Sequence, residues 1–142
     1  MRIHQERLTV QTPGSALVDI TAAVTKVVKT SGIVTGMATI FVQHTSASLL
    51  IQENASPDVH TDLIAWMGEL APESRRWKHD EEGPDDMPAH ARSAITRTSE
   101  QVPIGEGRLL LGTWQAIYLW EHRTSPHTRR LVVTVMGNAE GA

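Results

Sequence analysis

The fold is decided by residues 99–121, which read SEQVPIGEGRLLLGTWQAIYLWE. Three apolar runs in this stretch, over 102–104, 108–111 and 115–121, are rich in branched and aromatic residues. Turn-forming glycines at 105–107 separate the first run from the second. Apolar runs bounded by turn residues predict short β-strands. A further strand is predicted over 130–136, so we expect the last third of the chain to be almost entirely β-structure.

The chain upstream of this stretch alternates between predicted strands and helices. The β-rich segments 2–11 and 33–51 predict further strands, the second interrupted by polar residues. Apolar residues spaced three and four apart over 17–28 predict a helix that ends at Gly32. The acids Asp58 and Asp62 favour the N-terminal end of a second helix that follows Ser56.

A short third helix is expected to begin at Pro88, with Ala94 and Ile95 facing inward. Early helices on a strand-dominated chain predict one α+β domain over 1–142, with antiparallel, sandwich-like sheets and two to three short helices. Among the tryptophans, we expect Trp66 and Trp114 in the core. Trp77 and Trp120 are interface candidates, because tryptophan is enriched at interfaces.

Composition excludes several classes of function. The 142 residues contain no cysteine, so disulfides, cysteine-bound metals and thiol catalysis are excluded. The net charge of −3 argues against general nucleic-acid binding, which requires a basic surface. The apolar runs are much shorter than a membrane span, and the N-terminus has no apolar signal segment. We therefore expect a cytoplasmic protein that binds neither nucleic acid nor membrane.

The densest site signal is the segment 79–90, HDEEGPDDMPAH, which holds five carboxylates and two histidines. It ends a long polar segment, and loops of that length are often functional. Carboxylate oxygens suit hard divalent cations, and imidazole suits transition metals. The segment therefore predicts a divalent-metal site. The alternative interpretation is a solvated acidic loop, which is the usual fate of a run of charges.

Two further polar groups are candidate site residues. The segment 43–48, QHTSAS, interrupts apolar strands, and buried polar groups are costly unless they are satisfied or used. The alternative is a polar bulge with local hydrogen bonds; a serine hydrolase is less favoured, because the chain has no nucleophile elbow. Arg123, Arg129 and Arg130 flank one turn and could clamp a phosphate, or could form a charged sheet edge.

Ordered motifs along the whole chain resemble those of the YjbQ family. The clearest is Ser99-x-x-Val102-x-Ile104-x-x-Gly107-x-x-x-x-Gly112-Thr113-Trp114-Gln115-x-Ile117. Further matching anchors are 43–49, Glu53-Asn54, Asp58, Asp62, His79-Asp80, Glu82-Gly83, 85–88, His90, 121–123 and Arg129-Arg130. The resemblance implies a compact α+β domain that assembles as a homotrimer. It also implies secondary thiamine-phosphate synthase activity, as a side activity rather than the main role.

That reaction joins hydroxymethylpyrimidine diphosphate to thiazole phosphate and releases pyrophosphate. It needs charge neutralisation at the leaving group, which a divalent metal and arginines can supply. We therefore expect a small phosphorylated substrate and bound zinc or magnesium. The catalytic candidates are His44, Ser46, Glu53, Asp80, Asp86 and Gln115. The phosphate-binding candidates are Arg123, Arg129 and Arg130. The metal-ligand candidates are His44, His79 and His90, a set like that of catalytic zinc.

Two other functions stay open at this point: a zinc-dependent hydrolase of a small metabolite, and a non-catalytic trimeric protein that binds a metal or metabolite. The late strand raises a geometric question for all of them. Gln115 and Glu121 share one face of a regular strand but lie ~20 Å apart along it. One protomer could place both at one ligand only with a bulge. In a trimer, Glu121 could instead reach a neighbour's pocket.

Overall fold

The computed structural model describes residues 1–140, and in that range it contains eight strands and three helices. In chain order the elements are β1 (Arg2–Thr12), β2 (Ala16–Asp19), α1 (Thr21–Ser31), β3 (Thr35–Val42), β4 (Ala47–Glu53), α2 (Pro57–Leu70), α3 (Asp86–Ile95), β5 (Ser99–Gly105), β6 (Arg108–Leu109), β7 (Gln115–Glu121) and β8 (His127–Asn138). The predicted α+β class is confirmed. No helix in the described range is long and apolar enough to cross a membrane.

The strands form two sheets whose paired strands all run antiparallel. The larger sheet has the order β1-β8-β3-β5-β6, and the smaller has the order β2-β7-β4. Strand β7 is the centre of the smaller sheet, where Leu119 pairs with Val18 on one side and Leu49 on the other. This arrangement confirms the predicted antiparallel sheets.

The core lies where the inward residues of the strands meet α1. Along β8 the residues alternate, so that Leu131, Val133 and Val135 are fully buried while Met136 faces out. This period of two follows from strand geometry. The helix α1 adds Val24 and other valines to the same cluster. The candidate site residues described below are held at the margin of this core.

Helix boundaries differ from the prediction at two places. Leu17 belongs to strand β2, and α1 begins only at Thr21, whose backbone N–H donates to the Asp19 carboxylate at 2.9 Å. Gly32 ends α1 in the left-handed region at φ 69°, as predicted. The helix α3 begins at Asp86, two residues before Pro88. The backbone N–H of Asp86 donates to the carbonyl of Gly83 in the preceding turn, so the chain is already turning before Pro88.

Several apolar side chains are exposed where the sequence predicted burial. Trp66 and Trp114 are 54% and 63% exposed, so the prediction that they lie in the core is wrong. Ile95 in α3 also faces outward. The helical spacing that predicts an apolar face says nothing of what covers that face, and within α2 only Met67 is buried. Trp120, an interface candidate, is instead buried within the chain.

Candidate metal centre

The long loop between α2 and α3 and the first turns of α3 bring three candidate ligands together. Asp86 and His90 stand four residues apart on α3, so they share one face of the helix. The loop returns His79 to the same face. One ligand atom from each of these three residues lies within 4.8 Å of the other two. We call His79, Asp86 and His90 the ligand cluster.

Asp86 lies at the centre of the cluster. Its Oδ2 atom is 2.6 Å from Nε2 of His79 and 3.3 Å from Nε2 of His90. The Glu82 carboxylate lies at the edge, 3.4 Å from the same nitrogen of His79. The aspartate is almost fully buried, whereas the two histidines are partly exposed. The cluster is thus anchored from inside the protein and open on its histidine side.

Neighbouring groups fix the orientation of two of the three ligands. The Nδ1 atom of His90 lies 3.0 Å from the backbone carbonyl of Thr45, so this N–H donates to the carbonyl and Nε2 faces the cluster. The other carboxylate oxygen of Asp86, Oδ1, accepts a hydrogen bond from Arg123 at 2.8 Å. Metal-ligating histidines and carboxylates in proteins are oriented by second partners of this kind.

The protonation of the cluster is set by the contact between His79 and Asp86. The hydrogen bond to Asp86 raises the pKa of His79 above its usual value, because the carboxylate stabilises the imidazolium. Burial alone would raise the pKa of Asp86. The hydrogen bond from His79 and the nearby charge of Arg123 outweigh burial and lower that pKa. Without a metal, His79 and Asp86 therefore share a proton that a metal would have to displace.

Arg123 ties the loop to the segment after β7. Its Nε atom donates to Oδ2 of Asp85 at 2.9 Å, and one Nη atom donates to the carbonyl of Glu82 at 2.9 Å. The backbone N–H of Thr124 donates to the same Asp85 oxygen at 2.9 Å. The Arg123 hydrogen bond lowers the pKa of Asp85 to about 2, with smaller contributions from Thr124. The loop position is therefore fixed by a charged contact.

A second carboxylate–arginine pair lies deeper, between the two sheets. Glu121 is fully buried; both its carboxylate oxygens bond Arg129, and Oε1 also accepts from Thr12 at 2.7 Å. Burial opposes the ionisation of Glu121, but these bonds outweigh it and lower its pKa. Because Glu121 is enclosed by its own chain, the expectation that it could reach a neighbour's pocket is wrong.

His44, predicted as both a ligand and a catalytic residue, stands beside the cluster rather than in it. Its Nε2 atom accepts the backbone N–H of Arg130 at 2.8 Å, which leaves its other nitrogen to carry the proton. Burial and the charges of Arg129 and Arg130 lower its pKa, so the ring is neutral near pH 7. His44 and His90 together line a cavity of about 260 Å³. Direct metal ligation by His44 stays a prediction.

The other predicted site residues separate into near and distant groups. Asp80 lines a cavity of about 520 Å³ next to His79. Ser46 is buried beneath the site, where its backbone carbonyl accepts from Arg129 at 3.3 Å. Glu53 and Gln115 pair with each other at the opposite end of the smaller sheet from Glu121.

Local contacts account for the two distant residues. The Glu53 carboxylate accepts the N–H of Ala55 at 2.8 Å, and the Gln115 side chain accepts the N–H of Gly112 at 2.8 Å. Within one protomer, the structure does not bring Glu53 or Gln115 to the ligand cluster. The predicted separation of ~20 Å along β7 is the reason.

The three predicted phosphate-binding arginines have unequal surroundings. The guanidinium groups of Arg123 and Arg129 are paired with carboxylates of the same chain. The Arg130 side chain is exposed on the outward side of β8. Binding of phosphate by these arginines stays a prediction. Carboxylates of the same chain already neutralise Arg123 and Arg129.

One buried polar contact was not predicted, although Ser48 lies in the candidate segment 43–48 and His122 lies in the matching anchor 121–123. His122 and Ser48 are both buried, and Nε2 of His122 lies 2.8 Å from the serine hydroxyl. Burial and the charge of Arg92 lower the pKa of His122 to about 3, so it is neutral. No local sequence pattern signals this contact, which depends on the register that pairs Ser48 with Trp120, two residues from His122. The pair is closed to solvent.

The donor set of the ligand cluster fits a transition metal. Two imidazole nitrogens and one carboxylate oxygen are the ligands of many zinc, iron and manganese sites in proteins. Magnesium prefers an all-oxygen shell, so the two histidines favour zinc or a similar ion over magnesium. A ligand could approach from the partly exposed histidine side, where the two cavities border His79 and His90.

The fold and this cluster define a class: a small α+β protein with a candidate histidine–carboxylate metal centre beside two cavities. The family model described as "UPF0047 protein YjbQ-like" matches residues 6–138. A UPF0047 protein of Synechocystis sp. is 56% identical over 137 residues, which cover 96% of this chain and 93% of that protein. The chain therefore belongs to the YjbQ (UPF0047) family.

Other relatives agree with that assignment. The protein YugU of Bacillus subtilis is 37% identical over 123 residues, covering 85% of this chain and 89% of YugU. A crystal structure of an uncharacterized conserved protein of this family from Clostridium acetobutylicum matches with a TM-score of 0.86 at 35% identity. It covers 92% of this chain and 99% of that one. These comparisons support the fold, and their names state no reaction.

Proposed function

We propose that this protein is a metal-dependent enzyme that acts on a small phosphorylated metabolite. The observation that carries the proposal is the convergence of His79, Asp86 and His90, with Asp86 and His90 oriented by Arg123 and the Thr45 carbonyl. A solvated acidic loop would not need an arginine and a backbone carbonyl to orient its side chains. A divalent metal bound here would act as a Lewis acid toward an oxygen of the ligand.

The chain's own residues have distinct roles in this proposal. His90 offers Nε2 as a ligand because its other nitrogen is held by Thr45. His79 must lose the proton it shares with Asp86 before its Nε2 can bind a metal. His44 remains neutral at the adjoining cavity, where its free N–H can donate to a bound ligand.

Two reactions fit this site. The family resemblance suggests thiamine-phosphate synthesis as a side activity, in which charge on the departing pyrophosphate must be neutralised. The nitrogen-rich donor set favours the second reaction, hydrolysis of a small phosphorylated or acyl substrate by a zinc enzyme. Both reactions require the same ligand cluster, and they differ in the product formed.

The test begins with the metal content of the purified protein. We expect about one zinc or similar ion per chain, lost in the variants His79→Ala and His90→Ala but retained in His127→Ala. The metal-loaded protein is then assayed with the two thiamine precursors and with a panel of phosphate and acyl esters. Turnover that needs His79 and His90 supports the proposal. Metal binding without turnover of any of these would instead indicate the non-catalytic binding protein.

We also propose that the chain forms a homotrimer. Two separate sets of apolar side chains are exposed: one on α2, with Trp66 and Leu70, and one on the outward face of the larger sheet. The outward face carries Ile3, Met37, Phe41 and Met136. A closed ring joins two different surfaces of each subunit, so a cyclic trimer needs one surface of each kind.

Light scattering during size-exclusion chromatography tests the assembly. We expect about three times the chain mass of 15.6 kDa, and a smaller species for Trp66→Glu or Phe41→Glu. The matched control is Thr9→Glu, which lies on the same outward face of the larger sheet but is not one of its exposed apolar residues. A monomeric wild-type protein would contradict the trimer.

A cytoplasmic location also remains our proposal, based on composition.

A further inference from the structure

One cavity in the described residues 1–140 borders the ligand cluster and has a basic, aromatic wall. Its volume is about 520 Å³, within the range of small-molecule sites. His79 of the cluster and Asp80 line one part of it. Arg75, Arg76 and Trp77 line another part. The proposed metal position and this basic wall therefore face the same space.

The loop that forms the cavity separates its charges. Its first half carries Arg75 and Arg76 with one acid, Glu73, which also lines the cavity, and its second half carries the acidic residues around the cluster. Within residues 1–140, neither Arg75 nor Arg76 forms an ion pair, whereas Arg123 and Arg129 are both paired with carboxylates. Arg75 and Arg76 on the wall of this cavity thus have no carboxylate partner in the described chain and are available to an anion.

Trp77 gives this wall a fixed geometry. Its indole N–H donates to the backbone carbonyl of Pro72 at 3.0 Å, and the Arg75 guanidinium lies 5.0 Å from the ring centroid. A guanidinium at this distance from an aromatic face is held by a cation–π interaction. A guanidinium restrained in this way loses less conformational entropy when it binds an anion.

We propose that this cavity is the anion subsite of the metal centre, in which Arg75 and Arg76 bind a phosphate or carboxylate group of the ligand. The inference deepens the proposed function and rests on it, because the ligand would bridge the metal and the two arginines. Arginine suits this role, since its planar donors match the oxygens of phosphate and carboxylate. The anion clamp is thereby assigned to a different pair of arginines from the paired Arg123 and Arg129.

The test measures anion binding with inorganic phosphate and with succinate, which represent the two sources of charge. Each is titrated into zinc-loaded and into metal-free protein, with calorimetry and tryptophan fluorescence as readouts. The test variant is Arg75→Gln/Arg76→Gln. The matched control is Arg108→Gln, which removes one exposed arginine from the β6 strand. Zinc affinity is measured for every variant.

We expect the wild-type protein to bind at least one of the two anions. In the double variant the dissociation constant should rise at least about tenfold, because two charge-assisted contacts are lost. The control should change by about twofold or less, and zinc affinity should not change. The anion that binds more tightly identifies the group that the subsite prefers.

The proposal is overturned if neither anion binds the wild-type protein, or if the double variant binds no more weakly than Arg108→Gln. Failure of the proposed function has a separate signature, which is absence of zinc binding to the wild-type protein. The metal-free titration still decides the anion subsite in that event. The two failures are therefore distinguishable.

Discussion

Two carboxylate–arginine pairs in this protein differ in how completely the carboxylate is hydrogen-bonded within its own chain. Between the sheets, Glu121 has both oxygens bonded, to Arg129 and to Thr12 and the backbone N–H of Arg123. At the loop, Asp86 gives one oxygen to Arg123 and turns the other toward two partly exposed histidines. Arg123 touches both pairs, through its backbone and through its side chain.

This difference gives the two pairs different expected roles, one in stability and one in metal binding. A buried charge must have all its bonds satisfied within the chain, and Glu121 has them, so its network serves the fold. One oxygen of Asp86 faces the imidazoles of His79 and His90. A metal could bind these groups in place of the proton that Asp86 shares with His79. The first pair should therefore control stability, and the second should control metal affinity.

The largest expected effect is on stability. Glu121→Gln leaves the Arg129 charge buried without its counter-charge, and such changes cost about 3–5 kcal/mol of unfolding free energy. Urea denaturation followed by circular dichroism measures this loss. As the matched control, Glu121→Leu/Arg129→Met removes both charges and should recover part of the stability, because only the hydrogen bonds from Thr12 and the Arg123 backbone N–H are then left without their acceptor. A loss below about 1 kcal/mol for Glu121→Gln would contradict the structural role.

The second prediction concerns metal affinity. Asp86→Asn removes the central charged ligand, so the dissociation constant for zinc should rise about 100-fold or more. Calorimetric titration measures the change. The control is Glu81→Gln, which removes an exposed charge of the same loop outside the cluster. If both variants bind zinc as the wild-type protein does, Asp86 is not a ligand.

The third prediction concerns the link between the loop and the rest of the protein. The pKa of Asp85 is lowered from 3.8 to about 2, which corresponds to about 2 kcal/mol of stability. Because the folded-state pKa is the lower one, this contribution is present above pH 4 and is lost as the pH falls to about 2. Asp85→Asn should lose it, and its deficit relative to wild type should shrink below pH 4. Urea denaturation between pH 7 and pH 2 measures the deficit, and a constant deficit would contradict this assignment.

The smallest effect is a pH dependence of zinc binding. Zinc must displace the proton of His79, whose pKa is raised by Asp86 above 6.5. As the pH falls through that raised value, zinc affinity should weaken, approaching about tenfold per pH unit for one displaced proton. Titrations between pH 8 and pH 5.5 at constant ionic strength test this. Affinity that stays constant down to pH 6 would show that His79 is not a ligand.

The sequence predicted the fold well because the signals were local and periodic. Alternation in β8 and the glycine at 32 define elements that the structure reproduces. The exposure of Trp66 and Trp114 could not be predicted in this way. Helical and strand periodicity shows which residues share a face, and it does not show whether that face is covered by the same chain.

The site was predicted in its residue types more than in its grouping. His79, Asp86 and His90 lie within twelve residues, so a loop followed by a helix can bring them together. His44 shares a cavity with His90, while Glu53 and Gln115 lie at the far end of a sheet. The ion pairs of Arg123 and Arg129 depend on contacts across the fold, and no local pattern shows which arginines remain unpaired.

Metal binding by His79, Asp86 and His90 can be tested by a crystal structure of the zinc-loaded protein, with anomalous data collected on both sides of the zinc absorption edge. We predict one anomalous peak per chain within about 2.0–2.2 Å of nitrogens from His79 and His90 and an oxygen of Asp86. A peak bound by other residues, or no peak in a crystal grown with stoichiometric zinc, would contradict this prediction.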